Sequence, residues 1–465
     1  MSAKGQGSDA VGEQAVDFLP SRDLQHLAVR RTPSLSKVEA ALKNTARALG
    51  VSEKGKDDER EILFDGNLQD PDEDEDDRSG EEFEMRVVRN WLTGIVASDL
   101  DWLAKDGDGD EQKVEERREE AVSRAAELLA VCAGKSASGP SRVRYNFATP
   151  SGTLSVRSQE ATLTEDALGG RTWGAAPLLL QHLLKDPDTR QSLSLDSPCR
   201  AGRPLRILEI GAGTGLVGLG LALARRKRPS NEMNKAEDKI DLQLVLTDHH
   251  PNVLANLTSN VALNGIETGS STQVRRLDWQ AVYDAQAGEH TSSTYSSKAQ
   301  TLPVQSESSM DPTWLEPLPF EDGTVDILIA ADCVYDPLHP TWIRAVAEKY
   351  LRRPSSSTTN SQHPTREEEG GLMHMISPLR STHAAEMTAI YHAFPSSKSS
   401  QGTDGPQREE EGKDEVKLLM AVEAELKGYD DFGPPRLRLG THAQGARRMD
   451  GTQTMYRRFE IRWRT

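Results

Sequence analysis

"LRILEIGAGTGLVGLGLALA", residues 205–224, decides the fold. An apolar run suited to a buried strand enters a glycine-rich turn and continues as an apolar helical stretch. Such a junction brings backbone close to a ligand at the first strand of an α/β sheet. Glycines stand at 211, 213 and 215. The dinucleotide fingerprint needs its third glycine at 216, where this chain has Leu216. No Lys-Ser/Thr pair follows, so an NTPase phosphate loop is absent as well.

Glu209 ends the strand. A carboxylate there repels pyrophosphate and suits a cationic amino group, which S-adenosylmethionine carries. The bland alternative, a tight turn that merely needs glycine, stays open from these residues alone. The next strand, "LQLVLTD" (242–248), ends in Asp248, where an acid can accept ribose hydroxyls in the crevice of an open sheet. Asp248 can equally serve as an acid at a helix N-terminus. The long gap between these strands is filled by the polar stretch 226–241, read as an insertion at the helix end opposite the site.

Outward from this pair, strands and helices alternate. Strands are expected near 205–210, 242–247, 273–277, 325–331 and 371–376, and helices near 175–185, 216–226, 251–263, 340–351 and 381–394. That order gives a parallel sheet covered by helices. Two late strands, 416–426 and 454–463, close it as a hairpin. Upstream, "VRYNFAT" and "TLSVRSQ" around "PSG" (143–158) form a β-hairpin. Amphipathic helices are expected at 83–104 and 113–134, with a further segment at 35–50. The resulting division is a largely disordered acidic region 1–80, a helical module 81–140 and an α/β domain 141–465. Low-complexity inserts interrupt that domain at 285–312, 353–370 and 396–415.

Composition agrees with long solvated insertions. Only 36% of the 465 residues are hydrophobic, too few to bury the whole length. The net charge of −17, concentrated in runs such as 70–84, does not steer the chain toward nucleic acid and favours a basic protein partner. Cys132, Cys199 and Cys333 are widely spaced and odd in number. They form neither a metal signature nor a disulfide framework, and suit a reducing compartment. No apolar signal segment opens the chain and no stretch approaches a membrane span, so the expectation is a soluble intracellular protein. The basic run 224–230 reads as a helix end rather than as a nuclear import signal. The histidines, including His249 and His250, show no ligand spacing, and no metal is expected.

"LRILEIGAGTGLVGL", "LVLTDHHPNVLANLTSNVALN", "RRLDW" and "DILIAADCVYDP", in this order, resemble the seven-β-strand protein-lysine methyltransferases with a D-x-x-Y motif after the fourth strand. The segment "TEDALGGRTWGAAPLLLQHLL" (164–184) is similar to the one by which that group covers its cofactor. The helical start, "RNWLTGIVASDLDWL" and "RAAELLAVCAGKSASGPSRVRYNF", resembles fungal members that methylate translation elongation factor 2. The resemblance implies a seven-stranded Rossmann-like sheet with helices on both faces, S-adenosylmethionine as cofactor and a lysine of elongation factor 2 as acceptor, in the cytoplasm. It implies that Trp173 contacts the cofactor, that Gly211, Ala212 and Gly213 approach it with backbone, and that Glu209 and Asp248 bind its polar ends. Asp278 and Trp279 would flank the adenine, and Ala331 would lie along the cofactor. Asp332 and Tyr335 would form the reaction end.

Each role has a structural rival: a core tryptophan at 173, a surface Asp-Trp at 278–279, a helix cap at 332 and a core tyrosine at 335. Methyl transfer to lysine needs a deprotonated amine, whose ordinary pKa is ~10.4, so a carboxylate and carbonyls that hold the amine fit the task. Cys333 has no matched base, which makes covalent catalysis a poor reading. The Asn-Pro-Pro-Tyr motif of nucleic-acid and glutamine methylating enzymes is absent. Two alternatives remain: the same chemistry on another protein or a small amine, and a catalytically idle relative used for binding.

Overall fold

The computed structural model describes residues 18–28, 31–49, 51, 59–64, 75–98, 111–133, 140–161, 168–193, 195, 203–226, 242–269, 271–290, 310–354, 370–396, 416–430, 437 and 452–464. They fall into two compact units, the first drawn from 1–60, 70–138 and 433–450, the second from the rest.

The first unit is helical: α1 (Pro20–Asp23), α2 (Leu35–Ala48), α3 (Glu75–Val96) and α4 (Glu111–Cys132). Its core follows helical spacing, with Leu35, Val38 and Leu42 on α2, Val88, Leu92 and Ile95 on α3, and Ala121, Ala125, Leu128 and Cys132 on α4. Their apolar faces are thus buried against one another. Two expectations change here. Residues 18–49, placed by composition in a solvated region, supply Phe18, Leu24 and the apolar face of α2 to this core. The amphipathic segment expected at 35–50 is α2 itself, while Phe18 and Leu24 lie in sequence too polar to show their burial. The helix expected at 83–104 runs over 75–96, while 99–104 lies outside the described residues. Leu437, far along the chain, joins this core, and its N–H donates to Glu81 Oε1 at 2.8 Å.

The second unit contains the seven-stranded sheet that was expected. Its strands are β4 (Leu205–Ile210), β5 (Leu242–Asp248), β6 (Thr272–Arg276), β7 (Ile327–Ala331), β8 (Leu372–Pro378), β9 (Lys417–Asp430) and β10 (Thr452–Arg464), in the order β6-β5-β4-β7-β8-β10-β9. Five are parallel, and β10 runs antiparallel to both β8 and β9. Near-continuous burial of β4, β7 and β8 is what strands covered on both faces require. The chain's strand order reverses between β4 and β7, the switch point where open α/β sheets hold ligands beyond the strands' carboxyl ends.

Covering helices are α5 (Ala175–Lys185), α6 (Pro187–Ser192), α7 (Leu216–Arg226), α8 (Pro251–Leu263), α9 (Trp279–His290), α10 (His339–Tyr350) and α11 (Ala384–Ala393). Helix α9 was not expected, and it carries the first residues of the insert drawn at 285–312. At that insert's other end Met310 is buried and residues 312–315 form a 3-10 turn. Residues 291–309, 355–369 and 397–415, the bulk of the three inserts, lie outside the described residues, as do Cys199 and 227–241. Within the basic run, Arg225 is buried and donates to the Leu193 carbonyl at 2.9 Å, as a helix end should.

The hairpin β2 (Ser141–Thr149) and β3 (Gly152–Glu160) gains a third, unexpected strand, β1 (Glu59–Phe64). Phe64 stacks on Phe147 with ring centroids 4.9 Å apart. Helix α8 fastens β3 through amides: Asn260 Oδ1 accepts the Gln159 N–H at 2.6 Å and Asn264 Oδ1 accepts that of Arg157 at 2.8 Å. At the opposite end of the sheet from the switch-point crevice, Asp326 is clamped by both nitrogens of Arg203 (2.9 and 2.8 Å) and by Arg352 Nε (3.0 Å).

Candidate active site

The glycine turn links β4 to α7. Gly211 and Gly213 both have φ of 56°, a left-handed conformation that suits glycine. A Cβ at Gly211 would stand 2.8 Å from Cys333 Sγ and 3.1 Å from the Trp279 ring, and one at Gly213 would stand 3.1 Å from the Gly169 carbonyl oxygen. The turn is therefore packed from both sides. Gly169 belongs to a 3-10 turn, residues 168–170, and Thr172 and Thr214 hydroxyls meet at 2.7 Å. The segment 168–173 thus lies against the glycine turn.

The backbone of the turn is tied to β5. The Ala212 N–H donates to the Thr247 carbonyl at 2.8 Å and the Gly213 N–H to Asp248 Oδ2 at 3.1 Å. Asp248 Oδ1 also accepts from His249 N–H (2.8 Å) and His250 N–H (3.3 Å). Burial raises the Asp248 pKa, and these three donors pull it back. Asp248 does not cap α8; that role falls to His250, whose Nδ1 accepts the Asn252 N–H at 3.2 Å.

Glu209 is buried, with Oε2 accepting the Gly218 N–H in the first turn of α7 at 2.8 Å. Among the described residues none bonds its second oxygen. Burial pushes its pKa up to about 8. Asp278 follows β6, where its Oδ1 caps α9 by accepting the Ala281 N–H at 3.1 Å, and its Oδ2 lies 3.8 Å from His249 Nδ1. The helix cap is thus Asp278, not Asp332. Trp173 is half-buried before α5, with the Arg380 guanidinium 5.7 Å from its ring centre. Arg380, just past β8, had drawn no notice in the sequence.

Ala331 ends β7, which pairs in parallel with β4. Asp332 then adopts φ of 57°, one of two non-glycine residues with positive φ among those described. Its N–H donates to the Ile376 carbonyl at 3.0 Å. Tyr335 is 60% exposed, which removes its rival reading as core. Helix α10 begins only at His339. Cys333 is buried, with Sγ 3.2 Å from the Ile210 carbonyl oxygen, and burial holds its thiol well above the ordinary pKa. A protonated thiol is no nucleophile. Among the described residues no group of three or more His, Cys, Asp or Glu could hold a metal, and no helix is long and apolar enough to cross a membrane.

Trp279, Tyr335 and Trp342 converge on His339, with ring centroids 5.6, 4.4 and 5.5 Å from its own. The fold assembles Glu209, Asp248, Asp278, Trp279, Asp332 and Tyr335 at or just past the carboxyl ends of four adjacent strands. His339 was missed by reading in sequence order, because its partners lie up to 60 positions upstream.

Residues 153–293 match the model of a lysine methyltransferase family. The chain is 27% identical to the protein-lysine N-methyltransferase rrg1 of Schizosaccharomyces pombe, over 73% of this chain and 84% of that protein. It is 26% identical to the protein-lysine N-methyltransferase EFM2 of Saccharomyces cerevisiae, over 65% of this chain and 58% of EFM2. A solved structure, M. jannaschii TYW2 in complex with AdoMet, is 7% identical over 67% of this chain and 83% of that one, with a TM-score of 0.27, a likeness too slight to argue from.

Proposed function

We propose, on the premise that this chain is an S-adenosylmethionine-dependent protein-lysine N-methyltransferase of the family its residues 153–293 match, that its substrate is translation elongation factor 2. The observation that carries the choice of substrate is the likeness of 89–103 and 124–147 to fungal members acting on that factor. Cytoplasmic location goes with that substrate.

The residues fit the cofactor. Gly211 and Gly213 keep the turn's backbone free of Cβ atoms, Asp248 offers a half-buried carboxylate at the end of β5, and Glu209 keeps one oxygen for a cation. When bound, the cofactor supplies a sulfonium-activated methyl group. In this reading Glu209 receives the cofactor's amino group, Asp248 its ribose hydroxyls, and Asp278 and Trp279 its adenine. Gly211, Ala212 and Gly213 give close backbone, Trp173 covers the cofactor and Ala331 lies alongside.

Asp332 holds the incoming lysine amine and helps it shed its proton, and the exposed ring of Tyr335 forms a wall that favours a cationic side chain. Most of the rate advantage comes from positioning, since the methyl donor is already reactive. The test is incubation with labelled S-adenosylmethionine and a fungal lysate, followed by mass spectrometry. Label on a lysine of elongation factor 2 is expected. Label on another protein alone would keep the chemistry and overturn the substrate, and label on no protein would overturn the activity.

A further inference from the structure

We propose that His339 is a positioning residue for methyl transfer, holding the 332–335 loop in its working conformation through Nδ1 and joining it to Trp279 through its ring. This rests on the reading of Asp332 and Tyr335 as the reaction end.

A non-glycine residue in the left-handed region costs ~1–3 kcal/mol and persists only where its surroundings impose it. Asp332 is such a residue, with φ of 57°. Its own N–H is fixed to Ile376 on β8. The Cys333 carbonyl, one residue on, is fixed by His339, whose Nδ1 lies 3.0 Å from its oxygen. A carbonyl only accepts, so Nδ1 carries the proton, and burial keeps the ring neutral by lowering its pKa. The His339 N–H in turn donates to the Asp336 carbonyl at 3.0 Å, so both side chain and backbone of this residue face the loop.

The ring does a second job. His339 is only 8% exposed, and it meets Tyr335 edge-on at 88° and Trp279 edge-on at 89°. One side chain therefore touches the tyrosine of the D-x-x-Y pair and the tryptophan of "LDW", two segments some 60 positions apart. The Asp332 carboxylate and the Tyr335 ring leave the backbone on either side of the carbonyl that His339 grips. Releasing that carbonyl lets the loop relax toward ordinary φ and swings both side chains away from where the amine must lie.

The experiment uses the full chain with tritiated S-adenosylmethionine and total lysate protein, so it does not depend on which substrate is correct. His339→Phe keeps a ring and removes the donor; His339→Asn keeps a donor near the Nδ1 position. The maximal rate of His339→Phe should fall on the order of 10–100-fold, as misplacement of a reacting group does. Its KM for S-adenosylmethionine should stay within about threefold, and His339→Asn should recover at least about fivefold of the lost rate. In an Asp332→Ala background, His339→Phe should cost less than about threefold, because the group it positions is gone. Should His339→Phe melt below the assay temperature, His339→Asn against His339→Leu gives the same contrast at similar side-chain volume. A wild-type rate in His339→Phe, or in His339→Leu where that pair is used, overturns the inference, and so does an equal penalty in both backgrounds. Full turnover in Asp332→Ala alone would instead remove the catalytic reading beneath it.

Discussion

Two aspartates bracket β7, and they are built in opposite ways. Asp326, before the strand, is buried with two guanidinium groups and the Arg206 N–H upon it. Burial raises its pKa, but these partners outweigh burial and leave it below the ordinary value. Asp332, after the strand, sits half-buried in a strained backbone conformation, in the crevice where Glu209 and Asp248 have raised pKa values. One end of the sheet spends its acids on stability. The other keeps acids in costly settings, a pattern common where proteins bind and react.

The comparison can be broken most forcefully at Asp326. Asp326→Ala leaves Arg203 and Arg352 without their buried counter-charge, and such losses cost about 3–5 kcal/mol. Urea unfolding should show that loss; a change under ~1 kcal/mol would mean the clamp is ornamental. Its sign with pH follows from the lowered pKa. Asp326 contributes stability above the unfolded carboxylate value near ~3.9, and that contribution disappears as pH falls through the folded value.

Asp332→Gly should do the reverse. It relieves the left-handed strain and should raise stability by about 1 kcal/mol, while turnover falls at least ~100-fold for want of the carboxylate. Thermal melting and methyl-transfer rates read the two effects separately. A variant that is less stable and still active would invert the assignment.

Asp248→Ala should weaken S-adenosylmethionine binding by about 1–3 kcal/mol, the cost of leaving hydrogen-bonding groups unpaired. Calorimetry decides it, and unchanged affinity would remove Asp248 from the cofactor site.

Glu209 gives the most diagnostic effect. Its folded pKa of about 8 is raised, so between the ordinary 4.5 and 8 the folded chain binds more protons than the unfolded one. Stability without cofactor should therefore decline as pH rises across that window. Glu209→Gln should flatten the decline, so the variant gains on the parent at pH 8 relative to pH 5. Parallel urea-midpoint profiles would show that Glu209 is already ionised in the folded protein.

Much of this was legible in the sequence, for identifiable reasons. Strands β4, β5, β7 and β8 announce themselves because strands covered on both faces are nearly unbroken apolar runs, whereas β6, β9 and β10 show only alternating apolar positions, and the glycine turn stands out because left-handed backbone selects glycine. Helix α9 did not, since "WQAVYDAQAGEH" has only a weak apolar face. Strand β1 and residues 18–34 did not either, because their burial comes from partners distant in the chain.

At the site, the sequence by itself determined which side chains are available: Glu209, Asp248, Asp278, Trp279, Asp332 and Tyr335 stand where the strands end. Only tertiary structure decided how each is used. Asp278 caps a helix, Glu209 meets the α7 N-terminus, Cys333 is buried against the Ile210 carbonyl, and His339 gathers three rings. Identity and local spacing are written along the chain, whereas hydrogen-bond partners and burial belong to residues brought together across a sheet. These long-range neighbours set the strain at Asp332 and the pKa of Glu209, because desolvation and hydrogen bonding depend on distance in space.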